Sequence, residues 1–168
     1  MDRAQRTVAI LALGCFLFVG ISTFIDFDCW HQMALAREVF ALGRMPLADQ
    51  FAYTPTVYPV IHHEWGTGVV MYALATHGGL TAVRIAQWLL VLVIAVTCWR
   101  LASRHAGIAV TSALAPLAII MGWAGLTAIR ALLFTMLFVA LLLTALDRDR
   151  EGQRRWISWW LPLHVLWL

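Results

Sequence analysis

Long apolar stretches dominate this sequence and restrict the folds that are open to it. Such stretches cover residues 8–25, 81–99, 107–126 and 131–146, and a fifth, incomplete one covers residues 156–168. Each complete stretch has roughly 16–20 residues, which is close to the length that a helix needs to cross about 30 Å of hydrocarbon. The chain is 62% hydrophobic, whereas soluble domains are about 45–50% apolar. The sequence therefore predicts an all-α, polytopic membrane helical bundle.

The placement of arginine predicts the orientation of this bundle. All 12 basic residues are Arg, and most of them fall on one side of the membrane if the N-terminus is cytoplasmic. The arginines on that side are Arg3, Arg6, Arg100, Arg104, Arg148, Arg150, Arg154 and Arg155. Residues 26–80 then form a long extracytoplasmic loop. Because the arginines are scattered, the charge pattern does not favour nucleic acid as a partner.

Three segments of the chain have alternative interpretations. The first apolar stretch is typical of a signal peptide or a lipoprotein signal, but it continues past Cys15, which favours an uncleaved anchor. Residues 69–75 are apolar but too short to cross a membrane alone, so they form a surface or re-entrant helix or merge with the second span. The last stretch lacks a polar flank at Leu168, and we expect the chain to be the N-terminal part of a longer protein.

An acidic pair, Asp26 and Asp28, follows the first apolar stretch directly. Carboxylates at the rim of a membrane span cost free energy and mark candidate functional sites. Asp28 is a favourable helix N-cap, and residues 29–42 suit an amphipathic helix that Gly43 and Pro46 end. On that helix Asp28 and His31 would be neighbours, able to share a metal ion or a proton.

The order of these motifs resembles that of the C-type (GT-C) membrane glycosyltransferases. These polytopic enzymes use polyprenyl-phosphate-linked sugars, and they include protein mannosyltransferases and lipid A aminoarabinose transferases. The resemblance lies in the acidic pair, the amphipathic helix from Trp30 to Leu42, a Pro-containing loop and the second acidic motif His63-Glu64-Trp65. The run Asp49-Gln50-Phe51-Ala52-Tyr53-Thr54 looks like the "D-p-F-s-y-T" segment of one bacterial branch, which Arg130 also fits.

The resemblance implies an inverting sugar transfer at the outer face of a bacterial inner membrane. The donor would be a polyprenyl-phosphate sugar among the membrane lipids, and the acceptor a glycan, a lipid or a protein. Asp28 would act as general base or metal ligand, with Asp26 assisting and Glu64 as a second acidic contact. Arg84 and Arg130 would hold the lipid phosphate. His31, His62 and His63 are candidate ligands for a divalent metal ion of unspecified identity.

Simpler interpretations stand beside these roles. Asp28 is equally suited to capping a helix, and His31 to packing against the apolar face. Arg84 and Arg130 have the positions of arginines that extend from span ends towards water. The alternative function is a non-catalytic membrane protein of the same fold that binds a lipid carrier or a partner protein. A transporter is disfavoured because the ionisable residues gather in an outer loop rather than at mid-membrane.

Overall fold

The computed structural model describes residues 3–62, 64–152 and 155–167, and most of these residues are helical. The mostly helical architecture confirms the prediction of an all-α protein. The helices are α1 (Arg3–Ile21), α2 (Phe27–Leu42), α3 (Trp65–Met121), α4 (Trp123–Thr127), α5 (Leu132–Asp149) and α6 (Trp156–Trp167). Two short strands, β1 (Phe24–Ile25) and β2 (Ala128–Ile129), pair in parallel.

Helix α3 consists of three limbs rather than one straight rod. Its backbone leaves the helical region at Gly79 (φ 65°, ψ −170°) and at Gly107 (φ 78°, ψ 159°). Glycine adopts these positive φ values at little cost because it has no Cβ. The limbs are therefore 65–78, 80–106 and 108–121. Residues 69–75 thus lie in the first limb, which the break at Gly79 separates from the limb that carries the second predicted span.

The chain reverses its direction at Gly107. The indole nitrogen of Trp99 donates a hydrogen bond to the Ser112 hydroxyl at 3.4 Å, although these residues would be about 20 Å apart along a straight helix. The limbs 80–106 and 108–121 therefore lie side by side. Pro116 lies within limb 108–121, and the dihedral angles of the limb remain helical there.

Two apolar clusters hold the helices together. The first joins α1, α3, α4 and α5 through Val19, Val91, Ile94, Leu126 and Leu133. The second joins α2, α3 and β2 through Cys29, Met33, Met71, Val83 and Ile129. All ten side chains are almost fully buried, so the clusters fix how α2 and the strands lie on the ends of the longer helices.

Helix α3 is, within the described part of the chain, the helix long and apolar enough to cross a membrane. Its middle limb, 80–106, would reach about 40 Å at 1.5 Å per residue. A shorter apolar helix covers Arg6–Ile21. The structure is thus compatible with membrane association, and the predicted bundle of several spans stays a prediction.

Helix α2 lies in close contact with the first limb of α3. Gly68 is buried against the backbone of Gln32, and a Cβ at Gly68 would overlap the Gln32 carbonyl oxygen. Further along, the rings of Phe40 and Tyr72 stack with their centroids 5.8 Å apart. The residue numbers increase along both helices from the Gln32–Gly68 contact to the Phe40–Tyr72 contact. The two helices therefore run in the same general direction.

We predict that Gly68→Ala destabilises the packing of α2 on α3. The added methyl group must displace backbone rather than a flexible side chain, which costs about 1–3 kcal/mol. Gly66→Ala is the matched control in the same helix, because no atom lies within 4 Å of its added Cβ. Denaturant unfolding of the purified protein in detergent, followed by circular dichroism, measures both. Equal stability of the two variants would contradict the close contact.

Candidate functional site

The pairing of β1 with β2 brings the first acidic residue next to an arginine from a distant part of the chain. Phe24 pairs with Ala128 and Ile25 pairs with Ile129, and the Asp26 amide donates to the Ile129 carbonyl at 3.4 Å. The residues that follow the strands are Asp26 and Arg130. Their side chains form an ion pair, with 3.8 Å between Asp26 Oδ2 and Arg130 Nη1. Two predicted site residues therefore do lie together.

Asp26, not Asp28, caps helix α2. The Asp26 carboxylate accepts a hydrogen bond from the Asp28 amide at 3.1 Å, and the helix begins at Phe27 rather than at Cys29. The prediction of Asp28 as the N-cap was therefore wrong. The reason is that strand β1 delivers the chain to Asp26 in an extended conformation (φ −66°, ψ 152°), which is the backbone that an N-cap requires. The predicted end of the helix at Gly43 is confirmed.

Asp28 consequently lies in the first turn of α2 with its carboxylate exposed. A negative charge there interacts favourably with the N-terminal end of the helix dipole. No side-chain partner of Asp28 is found in the described part of the chain. Its carboxylate is therefore free to contact a ligand, whereas that of Asp26 already serves the cap and the ion pair.

Arg130 retains unused hydrogen-bond donors. Its side chain is 39% exposed and that of Asp26 is 20% exposed, while the buried Arg130 Nε has no hydrogen-bond partner within the described residues. A guanidinium group has five N–H donors, and the single contact with Asp26 leaves most of them available. This arrangement suits an anion bound between the protein surface and solvent.

The thiol of Cys29, beside this pair, is inert. Its side chain is 1% exposed, and burial together with the negative charge of Asp26 raises the pKa of Cys29 to about 11. A neutral thiol is neither a nucleophile nor a metal ligand. Cys29 therefore acts as a core residue, which agrees with its place in the second apolar cluster.

Glu64 lies immediately before helix α3 and is exposed. Its carbonyl accepts from the Thr67 amide at 3.0 Å, so Glu64 takes part in the first turn of the helix. Glu64 is one turn before Gly68, and Asp28 is one turn before Gln32. Gly68 contacts Gln32. The exposed carboxylates of Glu64 and Asp28 therefore lie one helical turn before this contact, each on its own helix.

The candidate metal ligands are not assembled into a site. His31 is exposed and meets the ring of Phe51 edge-on, with centroids 5.2 Å apart. A ring nitrogen of His62 lies 2.9 Å from the Pro46 carbonyl oxygen, and His63 lies outside the described residues. Across residues 3–62, 64–152 and 155–167, no group of three or more His, Cys, Asp or Glu side chains is placed to hold a metal ion.

Gln87, a polar residue near the site, was not identified from the sequence, and Arg84 forms no ion pair with the described site residues. Gln87 is fully buried, and its amide nitrogen donates to the Leu126 carbonyl at 2.8 Å, which anchors the chain just before β2. The signal was a polar amide inside an apolar stretch. Gln32 has a buried amide oxygen without a hydrogen-bond partner in the described structure. Arg84 is exposed, with no ion pair to any described residue.

We predict measurable coupling between Asp26 and Arg130 in a double-mutant cycle. Asp26→Asn removes the charge but retains a good N-cap, and Arg130→Gln removes the partner. We expect a coupling free energy of about 1 kcal/mol from unfolding measurements in detergent, because solvent partly screens the pair.

The control for this cycle is the neighbouring pair Arg37–Glu38. Its atoms are closer, at 2.9 Å, but the Arg37 side chain is 60% exposed, so coupling near zero is expected. Additive effects of Asp26→Asn and Arg130→Gln would contradict the ion pair.

Comparison with known proteins gives no independent assignment. No family model matches this chain, and no curated protein or solved structure matches it. The resemblance to the C-type glycosyltransferases therefore still rests on the sequence motifs themselves. What the fold adds is the proximity of Asp26 to Arg130.

Proposed function

We propose that this protein is an integral membrane glycosyltransferase that moves a sugar from a polyprenyl-phosphate donor to an acceptor at the extracytoplasmic face. The observation that carries the proposal is the ion pair of Asp26 with Arg130 beside the unpartnered carboxylate of Asp28. A base for the acceptor and a cation for the departing phosphate are the two groups that such a transfer needs.

The exposed apolar faces of several helices support a bundle that lies within a membrane. Ile10 of α1 is 69% exposed, Leu89 and Leu114 of α3 are 56% and 55% exposed, and Leu143 of α5 is 49% exposed. Similar side chains line the length of these helices. Contiguous apolar surface on this scale is unfavourable in water and favourable against lipid.

The two ends of the bundle differ in charge, which supports the proposed orientation. Helix α1 ends at β1, and limb 108–121 leads through α4 to β2, so both run towards the Asp26 site. Limb 80–106 and α5 run away from it, because Arg104 pairs with Asp147 at their far ends. Most arginines are found at that far end, as expected for a cytoplasmic side.

The proposed chemistry assigns separate roles to the acidic pair. Asp26 is a positioning residue, because it caps α2 and contacts Arg130. Asp28 removes the proton from the acceptor hydroxyl, and Glu64 contributes a second acidic contact. Arg130 binds the phosphate of the donor through its free N–H groups. Two further assignments stay predictions: a phosphate contact for Arg84, and metal ligation for His31 and His63.

The alternative is a non-catalytic membrane protein of the same fold that binds a lipid carrier or a partner. The contacts of Asp26 favour this alternative. Its carboxylate caps α2 and forms the ion pair with Arg130, and these two structural roles explain the presence of an acidic residue here without catalysis. The exposed Asp28 separates the two functions, because its side chain makes no hydrogen bond or ion pair in the described part of the chain.

We predict that Asp28→Asn lowers sugar transfer by at least about 100-fold, the usual contribution of a general base. The assay follows a labelled sugar from synthetic polyprenyl-phosphate donors into glycan, lipid and protein fractions. It uses membranes of cells that express the whole reading frame. Donor binding should be unchanged, because Asp28 carries the acceptor proton rather than the donor phosphate.

Glu38→Gln is the matched control for this experiment. It removes one negative charge from the same helix, about 15 Å along its axis, and should transfer at the normal rate. Normal transfer by Asp28→Asn would contradict the role of Asp28. Absence of transfer by the unmodified protein from any polyprenyl-phosphate sugar would favour the non-catalytic alternative.

A further inference from the structure

A cavity of about 1060 Å³ lies at the end of the bundle far from the Asp26 site. We call it the arginine groove. It is formed where limbs 80–106 and 108–121 meet the end of α5 and the beginning of α6. Its charged and aromatic lining comprises Arg100, Arg104, Arg148, Arg155, Trp99, Trp156 and Trp159. None of these residues has a part in the proposed sugar transfer.

The groove has an excess of unpaired positive charge. Arg104 is neutralised, because it pairs with Asp147 at 2.9 Å and also contacts Glu151. Asp147 is engaged a second time by His105, at 2.9 Å. By contrast, an ion pair is found for none of Arg100, Arg148 and Arg155 within the described residues. Three exposed cations therefore face a groove whose neighbouring carboxylates already have partners: Asp147 and Glu151 contact Arg104, and Asp149 accepts a hydrogen bond from the Trp156 indole at 3.2 Å.

The rest of the lining fits an amphiphile rather than a free ion. Leu101, Ile108, Leu141 and Ala145 form an apolar wall. The groove also contains Ser103, whose buried hydroxyl has no hydrogen-bond partner in the described structure. Tryptophan is typical of the level of lipid headgroups, because its ring is apolar and its N–H is polar. A cavity of this size is larger than an inorganic phosphate requires.

We propose that the arginine groove binds an anionic phospholipid. Arg100, Arg148 and Arg155 hold its phosphate group, and the apolar wall receives the upper part of its acyl chains. Basic pockets between membrane helices recognise anionic headgroups in this way. The proposal rests on the membrane placement given under Proposed function and is independent of the transferase chemistry.

The test compares lipid retention by the purified full-length chain in mixed phosphatidylglycerol and phosphatidylcholine micelles, measured by native mass spectrometry. We expect selective retention of phosphatidylglycerol. The triple variant Arg100→Gln, Arg148→Gln, Arg155→Gln should bind it about 100-fold more weakly, since each arginine near the lipid contributes about fivefold. The single variant Arg148→Gln should lose about fivefold.

The matched control is the triple variant Arg3→Gln, Arg6→Gln, Arg150→Gln. It removes the same charge from exposed positions at the same end of the bundle, outside the groove, and should retain the lipid normally. Equal loss in both triple variants, with helical content unchanged, would overturn the proposal in favour of diffuse attraction. Equal retention of both lipids by the unmodified chain would also overturn it. Displacement of the lipid by millimolar inorganic phosphate would identify a free-phosphate site instead and overturn it as well.

Discussion

The short pairing of β1 with β2 is the constraint on which the candidate site depends. Each strand has two residues, yet their register determines that Asp26 follows one strand where Arg130 follows the other. Two contacts hold the pairing in place: Ile129 is fully buried in the second apolar cluster, and Gln87 donates a hydrogen bond to the carbonyl of Leu126. Without these contacts, the cap of α2 and the ion pair would have no fixed relation to each other.

Local signals in the sequence predicted most of the helices. The apolar stretches correspond to α1, the last two limbs of α3, α5 and α6, and Gly43 ends α2 in a left-handed conformation (φ 65°) as its type and position indicate. The errors lie where two local signals compete. Asp26 and Asp28 are both good caps, and only the strand before Asp26 decides between them.

The geometry of the site was not predictable from the sequence because it depends on a contact between distant segments. The motif order suggested that Asp26 and Arg130 share a function, but nothing local placed them 3.8 Å apart. The same holds for the arginine groove, in which Arg100 and Arg155 come from different elements. The fold thus separates two kinds of charge: a mixed acidic and basic site at one end of the helices and a mainly basic groove at the other.

The most direct test of this account is disulfide cross-linking of the two strands in membranes. The native cysteines are first replaced by Ala. The test variant then carries Phe24→Cys with Ala128→Cys, which are paired residues of the two strands. The control carries Phe24→Cys with Ala145→Cys, because Ala145 lies near the C-terminal end of α5, away from the strands. Adjacent strands are about 4.8 Å apart, which is within reach of a disulfide. The account predicts rapid cross-linking of the first pair and none of the second. Failure of the first pair to react, or equal reaction of both, would contradict it.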